Sequence, residues 1–518
     1  MRTIVALAGA LLLAGLSAAH AATPEQCTAL AARDFSDVPD APTKVVAAKP
    51  MAASDKAPAA CRVEGYVSPQ VGIEFWLPLA NWNGKFLMQG CGAMCGTLEQ
   101  ISSCAEAVGR GYACGTTDMG HRGPAQDGKW AYANPVAEND LGHRATHVAT
   151  LAGKAITAAF YGGDIKRSYF RGCSTGGRQG LVEAQRYPYD FDGIVAGASV
   201  LYVPMGPPLQ LTWDVMANLD ASGKPIMSES KLAVLATASM NACDALDGLK
   251  DGMISDPRAC KFDPAKLLCK AGASDQCLTE AEVAVVRKFY DGPRNSKGPL
   301  TRVGGQPFGT ELSWAALMKG KGSPSYGFAL ENLRYLGFAL DPGPSYDVSE
   351  FNWDRDPQRL SYSALTAGNP DISLFAENGG KLIMFHGWAD ASIPATVSIG
   401  YYEMATRTMG GREAMERFAR LFLLPGLGHC KTGGANFADM LGALDAWVEG
   451  GKAPDHINAY GVADKEVGPV QPPAGFTGEN IAAFQPKFSR PLFPYPDQAR
   501  YQSGDPNAAA SFKRMHIK

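Results

Sequence analysis

Beyond its first residues this chain has no apolar run of the roughly 20 residues that a membrane-spanning helix needs, and even the N-terminal run, Ile4 to Leu16, falls short of that. It also has little charge and almost no imbalance of it: 19% of its 518 residues are Asp, Glu, Lys or Arg, and the net charge is −3. That composition gives neither nucleic acid nor an anionic membrane a surface to bind, so neither is expected as a partner. No internal repeat, heptad or low-complexity run is visible, which sets aside solenoids and coiled coils. A zinc framework is missing too. Cys91 and Cys95 have ligand-like spacing, but no second CxxC or histidine pair lies at the usual distance. Histidine is scarce, and with eight in the chain few residues compete for the role of a general base.

What is present is an ordinary globular composition, 46% hydrophobic, in a chain too long for one typical core. A large domain with a substantial insertion is expected. Arg2, the apolar run and the small-residue signature Ala19-His20-Ala21 predict a secretory signal peptide over residues 1–21, cut after Ala21. The mature protein is then secreted or periplasmic. Twelve cysteines, an even number, agree with an oxidising compartment.

Two of those cysteines flank the main catalytic candidates. Cys173 precedes Ser174 in "GCSTGG", and Cys430 follows His429 in "GLGHC". A disulfide holds its α-carbons about 4.4 to 6.8 Å apart, so bonding Cys173 to Cys430 would bring Ser174 and His429 near one another. Gly172 to Gly176 fits the G-x-S-x-G elbow, in which a strand turns sharply into a helix and lifts the serine hydroxyl above the sheet. Cys173 is read as structural, because a cysteine nucleophile would need a free thiolate.

Short apolar runs followed by glycine-rich turns and helix-like patterns predict an α/β fold, a mainly parallel sheet flanked by helices. "KFLMQ" precedes Gly90-Cys91-Gly92, the run from Ser168 to Arg171 precedes the elbow, "KLIMF" precedes "HGWAD", and Leu421 to Leu424 precedes "PGLGHC". Each candidate therefore follows a predicted strand, where open α/β sheets place their ligand sites. Clustered cysteines (Cys243, Cys260, Cys269 and Cys277) and a Gly/Pro-rich stretch predict an inserted lid at 205–367, between core segments 22–204 and 368–518.

Ester hydrolysis needs a nucleophile, a base, an orienting acid and donors for the developing oxyanion. Ser174, His429 and Asp390 supply the first three, in the chain order of α/β hydrolases. His386 is the rival base; otherwise it packs or hydrogen-bonds at the mouth of the site. The oxyanion donors are predicted to be the N–H groups of Thr175 and Gly92, the alternative for Gly92 being a glycine required only for a tight turn. "CDALDGLKDGMISDPRAC" crowds Asp244, Asp247 and Asp251 into one loop. Three such carboxylates repel unless they bind a cation, and hard oxygen donors joined by the carbonyls of Leu249 and Met253 suit a structural calcium ion. The alternative is that the Asp-Gly pairs simply make turns.

These motifs, with "TDMGH" and the tail "RPLFPYPDQARYQSGDPNAAASF", resemble the tannase and feruloyl esterase family over essentially the whole mature chain. The resemblance implies an α/β-hydrolase fold with a calcium-bearing inserted lid domain, and aromatic acyl esters such as ferulate or gallate as small-molecule substrates. Bacterial hydrolases of mono(2-hydroxyethyl) terephthalate look like members of the same family. A catalytically idle phenolic-binding protein and a secreted peptidase are the competing classes. One departure stands out. Family members often carry a C-terminal disulfide whose first cysteine precedes "PYP", whereas here Phe493 stands there and no cysteine follows Cys430. Cys91, Cys95, Cys104 and Cys114 look like extra bridges, with three pairings open. In "NLRYLGF", Arg334 is a candidate partner for a substrate carboxylate and Phe338 for its ring; the alternative is a surface arginine and a lid-core phenylalanine.

Overall fold

The computed structural model describes residues 22–517 except 56, 204, 205, 271, 273, 302 and 361–364. The predicted signal peptide and the predicted 204/205 junction lie outside the described residues. The organising element is a nine-stranded sheet. Its strands are β1 (Thr43–Met51), β2 (Ala60–Val67), β3 (Val71–Pro78), β4 (Lys85–Gln89), β5 (Ala113–Thr117), β6 (Arg167–Cys173), β7 (Gly193–Gly197), β8 (Lys381–Gly387) and β9 (Ala419–Leu424). They lie in the order β1-β2-β3-β5-β4-β6-β7-β8-β9. The first three form an antiparallel meander, β3 pairs antiparallel with β5, and every pairing from β5 to β9 is parallel.

The continuous apolar runs make sense in this sheet because both faces of its parallel part are covered. Phe86, Met88, Leu382, Met384 and Leu421 point into one core, while Leu87, Ile383, Phe385, Phe422 and Leu424 point into the other. The first core is closed by helices α1 (Ala145–Tyr161) and α2 (Thr175–Arg186). Between β7 and β8 lie α3 (Pro207–Ala217), α4 (Leu232–Cys243), α5 (Glu280–Asp291) and α6 (Pro324–Tyr335). After β8, α7 (Ala395–Thr408) joins the first core and α8 (Met440–Gly450) covers the second.

The β7–β8 segment packs a core of its own, including Leu209, Leu235, Val286, Phe289, Trp314 and Leu333. It leaves and rejoins the sheet at one place: the Ala367 N–H donates to the Leu201 carbonyl at 2.8 Å, and the Thr366 hydroxyl to the Val203 carbonyl at 3.2 Å. Adjacent exit and return points let a segment this long be inserted without disturbing the strand order around it.

All twelve cysteines are paired, as Cys27–Cys61, Cys91–Cys95, Cys104–Cys114, Cys173–Cys430, Cys243–Cys260 and Cys269–Cys277. The C-terminal tail is held without a bridge. Phe493 lies 6.2 Å from the His456 ring and 5.8 Å from the Arg514 guanidinium, and Pro494 pairs with Phe422 of β9.

At the carboxyl end of β8 the backbone of Gly387 meets the loop after β9 so closely that an added Cβ would lie 2.2 Å from the Leu427 carbonyl oxygen. Gly387→Ala is therefore expected to force the two loops apart and to destabilise the fold by at least about 1–3 kcal/mol, the usual range for overpacking. A lowered midpoint of chemical unfolding checks this, and an unchanged midpoint would show that the loops can separate freely.

Candidate active site

The strand ends gather the predicted residues at the carboxyl edge of the sheet. Ser174 sits between β6 and α2 with φ +63° and ψ −121°, a conformation that costs a non-glycine residue roughly 1–3 kcal/mol. Its N–H donates to the Gly197 carbonyl at 2.9 Å, and its own carbonyl accepts from the Arg178 N–H at 3.0 Å, so the turn is pinned from both sides. The flanking glycines have a steric cause. A Cβ on Gly172 would come within 2.6 Å of the Gly176 backbone, and one on Gly176 within 3.0 Å of the Cys91 carbonyl.

Asp390 follows β8 and has no exposed surface. Its Oδ1 accepts from the N–H groups of Ser392 and Ile393, each at 2.9 Å, and its Oδ2 accepts from His429 Nδ1 at 2.8 Å. Burial by itself would raise its pKa, but the His429 charge, together with hydrogen bonds from His386 and His429, holds the carboxyl well below the usual carboxylate range. The same pairing acts on His429 with the opposite sign. Burial pulls the imidazole down, yet the charge and hydrogen bond of Asp390 outweigh it and leave the pKa raised. With Nδ1 committed to Asp390, Nε2 is left to take a proton. The Cys173–Cys430 disulfide joins the two strand ends with a Cα–Cα separation of 5.9 Å.

Ser174 and His429 both line a cavity of about 670 Å³. Thr175 lines it too, and as the first residue of α2 its N–H has no acceptor within the helix. Opposite runs the loop after β4, where Gly92, Ala93 and Met94 reach the cavity. This loop is rigid: the Cys91–Cys95 bridge closes it, the Cys91 N–H donates to Gln179 Oε1 at 3.1 Å, and the Thr175 hydroxyl donates to the Ala93 carbonyl. Thr175 and Gly92 therefore border the same cavity. Much of the remaining wall comes from the β7–β8 segment, including Leu211, Trp314, Leu317, Phe328 and Leu336, and the loops after β8 and β9 add Ile393 and Lys431.

Three sequence expectations are corrected. His386 is not at the mouth of the site: it is fully buried, with Nδ1 2.8 Å from Ser398 Oγ and Nε2 2.8 Å from the Ile393 carbonyl and 3.3 Å from Asp390 Oδ2. It braces the acid from behind and touches no substrate space. Arg334 and Phe338 are not among the residues lining the cavity. Arg334 Nε donates to the Tyr346 carbonyl at 2.8 Å, and Phe338 is buried between Phe351, Tyr346 and the Arg359 guanidinium. The helix that carries Arg334 does reach the cavity, but through Ser325, Phe328 and Asn332, with Leu336 just past its end; their spacing of three and four residues marks that face.

The acidic loop lies between Cys243 and Cys260. Asp244 accepts the N–H groups of Asp251 and Gly252, Asp247 accepts from Leu249 N–H and Ser255 Oγ, and Asp251 pairs with Arg490 at 2.7 Å. Burial first, and then the charges of Asp251 and Asp244, raise the pKa of Asp247. Among the described residues, the group of three His, Asp or Glu side chains whose ligand atoms lie within 4.8 Å of one another is His147, Glu183 and Asp190; the loop aspartates are more spread. The loop is also nearer the chemistry than its place in the chain suggests. A Cβ on Gly426, three residues before His429, would come within 2.8 Å of Met253 Cγ.

A sheet of this order, an elbow serine after β6 and a hydrogen-bonded Asp–His pair on the loops after β8 and β9 define an α/β hydrolase. Residues 56–515 match the family model described as tannase and feruloyl esterase, and the chain belongs to that family. It is 33% identical to a mono(2-hydroxyethyl) terephthalate hydrolase of Piscinibacter sakaiensis over 90% of this chain and 86% of the relative. It is likewise 33% identical to a probable feruloyl esterase of Arthroderma benhamiae, over 86% and 83% of the two chains. The solved structure of feruloyl esterase B from Aspergillus oryzae superposes with a TM-score of 0.79 at 27% identity, covering 95% of this chain and all of that one.

Because a base must be unprotonated to act, the raised pKa of His429 fixes the direction of the pH dependence. kcat/KM for an ester should rise with pH through a midpoint above the ordinary histidine value of about 6.5 and fall about tenfold per unit below it. A pH–rate profile measures this, and a midpoint at or below 6.5 would contradict the Asp390–His429 coupling.

Proposed function

We propose that this carboxylic ester hydrolase is an exported serine esterase that cleaves esters of aromatic acids through an acyl-enzyme on Ser174. The observation that carries the reading is the arrangement of the site: Ser174 and His429 open onto one largely apolar cavity, and Asp390 lies buried behind His429. His429 Nε2 removes the proton as Ser174 Oγ attacks the ester carbonyl, and the Thr175 and Gly92 N–H groups receive the oxyanion. The protonated imidazole then gives its proton to the departing alcohol. Water, activated by the same nitrogen, releases the aromatic acid and restores the serine. The β7–β8 segment acts as a lid whose apolar side chains take the ring. Export is supported by the six disulfides, and no helix among the described residues is long and apolar enough to cross a membrane.

Between the two substrate types named for the relatives, the cavity favours a neutral acyl group. The arginine and lysine that line it, among the described residues, are Arg178 and Lys431. Arg178 is spent on the Leu141 and Gly142 carbonyls, and Lys431 is paired with Glu466. A free carboxylate on the acyl ring, as in a terephthalate monoester, would meet neither as an unengaged partner. Methyl ferulate should therefore give a higher kcat/KM than mono(2-hydroxyethyl) terephthalate, with methyl gallate as a third arm. Ser174→Ala should fold normally and lose turnover by roughly four orders of magnitude or more. Full activity in that variant would overturn the triad, and absence of activity in the wild type on all three esters would favour a phenolic-binding protein.

We further propose that the loop binds structural calcium through Asp244, Asp247 and Asp251, with carbonyls of Leu249 and Met253. The donor set is hard oxygen throughout, and the upward pressure of Asp244 and Asp251 on Asp247 is the repulsion that a cation would relieve. The ion would supply charge neutralisation to the loop and no chemistry to the ester. Metal analysis should find calcium in the purified protein, and chelation should lower the melting temperature. Metal-free protein with a melt insensitive to EDTA would refute it.

A further inference from the structure

The loop between Cys243 and Cys260 touches both catalytic loops from outside the cavity. Met253 packs at Gly426 in the base loop, while the Arg258 guanidinium lies 5.2 Å from the Trp388 ring, two residues before Asp390. It also lies 5.5 Å from the Tyr495 ring, and its Nη1 donates to the Tyr495 hydroxyl at 3.4 Å. The guanidinium is fixed in its plane, because Nε and Nη2 donate to the two oxygens of Asp256 at 2.9 and 2.7 Å. Asp256 is held in turn by Gln498 Nε2 at 2.5 Å, and the Tyr495 hydroxyl donates to Glu403 at 2.6 Å. Arg258 is thus clamped from several elements and presents a rigid cationic plate to Trp388.

Trp388 is the first residue of the acid loop to leave the sheet. It is 3% exposed, its N–H donates to the Leu424 carbonyl at 3.0 Å, and the next N–H, of Ala389, donates to the Leu427 carbonyl at 2.9 Å. These two bonds zip the acid loop to the base loop just before Asp390 reaches His429. A shift of the Trp388 ring would therefore be passed to both partners.

We infer that Arg258 is a positioning residue for the hydrolytic reaction: by clamping Trp388 against the zipped loops, it holds Asp390 in register with His429. The inference rests on the triad reading above. An Arg–aromatic stack has a planar face that a lysine ammonium cannot reproduce, so Arg258→Lys should fall between wild type and Arg258→Ala.

The test is steady-state kinetics and pH–rate profiles of both variants on the ester that the wild type turns over best. The expected result is a fall in kcat of roughly tenfold for Arg258→Ala, with KM little changed, since misplacement of a catalytic group by a fraction of an ångström lowers the rate without touching the acyl cavity. The acid limb should move to lower pH in both variants, because a looser Asp390 no longer raises His429 as far. If Arg258→Ala does not fold, the smaller shift in Arg258→Lys carries the same decision. Unchanged kcat and acid limb, or a loss confined to KM, overturns the proposal. Ser174→Ala on the same ester keeps the two readings apart: with that variant inactive, normal Arg258 variants refute only the positioning role.

Discussion

A carboxylate with no contact with solvent stays charged only if the protein supplies what water would have supplied. Asp390 is in that position, and two backbone N–H groups and the imidazoles of His429 and His386 provide the compensation. The loop after β8 must fold tightly for those N–H groups to reach it, and Gly387 must lack a side chain for the loop after β9 to come alongside. The fold around the acid is arranged to meet the cost of burying this one charge.

Ser174, the proposed nucleophile, is placed by a different kind of constraint. Ser174 is held in a strained backbone conformation, and the strain persists because β6, α2 and the Gly197 carbonyl leave it no alternative. The Cys173–Cys430 bond then fixes covalently, across 257 residues of sequence, the distance between the elbow and the loop that carries His429. Electrostatics sets the Asp390–His429 pair, covalent geometry brings Ser174 towards it, and the β7–β8 segment adds an apolar wall with its own core. That wall is tied to the acid loop as well, since Gln306 Nε2 donates to the Ala391 carbonyl, next to Asp390, at 2.9 Å.

Much of this site was legible before any coordinates. The motifs around Ser174, Asp390 and His429 are short stretches in which glycine, cysteine and the functional residue occur together, and the reasons are local: a sharp turn, a close approach, a bridge. The strand ends were legible because strands buried on both faces read as continuous apolar runs, as in "KLIMF". The places of Arg334, Phe338 and His386 are not legible in the same way, because they depend on which way a side chain turns. Arg334 and Phe338 belong to the right helix and the stretch just after it but turn from the cavity, and His386 sits on the correct strand facing inward beneath the acid.

By itself, then, the sequence determined the order of Ser174, Asp390 and His429, the strands that precede them and the family to which the chain belongs, since each is written in contiguous residues. Only the tertiary structure decided the pairing of the four cysteines near the oxyanion loop, the faces of α6 and β8 that meet substrate or core, and the packing of the Cys243–Cys260 loop against Trp388 and Gly426. The contacts of that loop with Trp388 and Gly426 join residues more than a hundred positions apart. Their existence depends on how helices and loops settle on the finished sheet, which no local pattern of residues encodes.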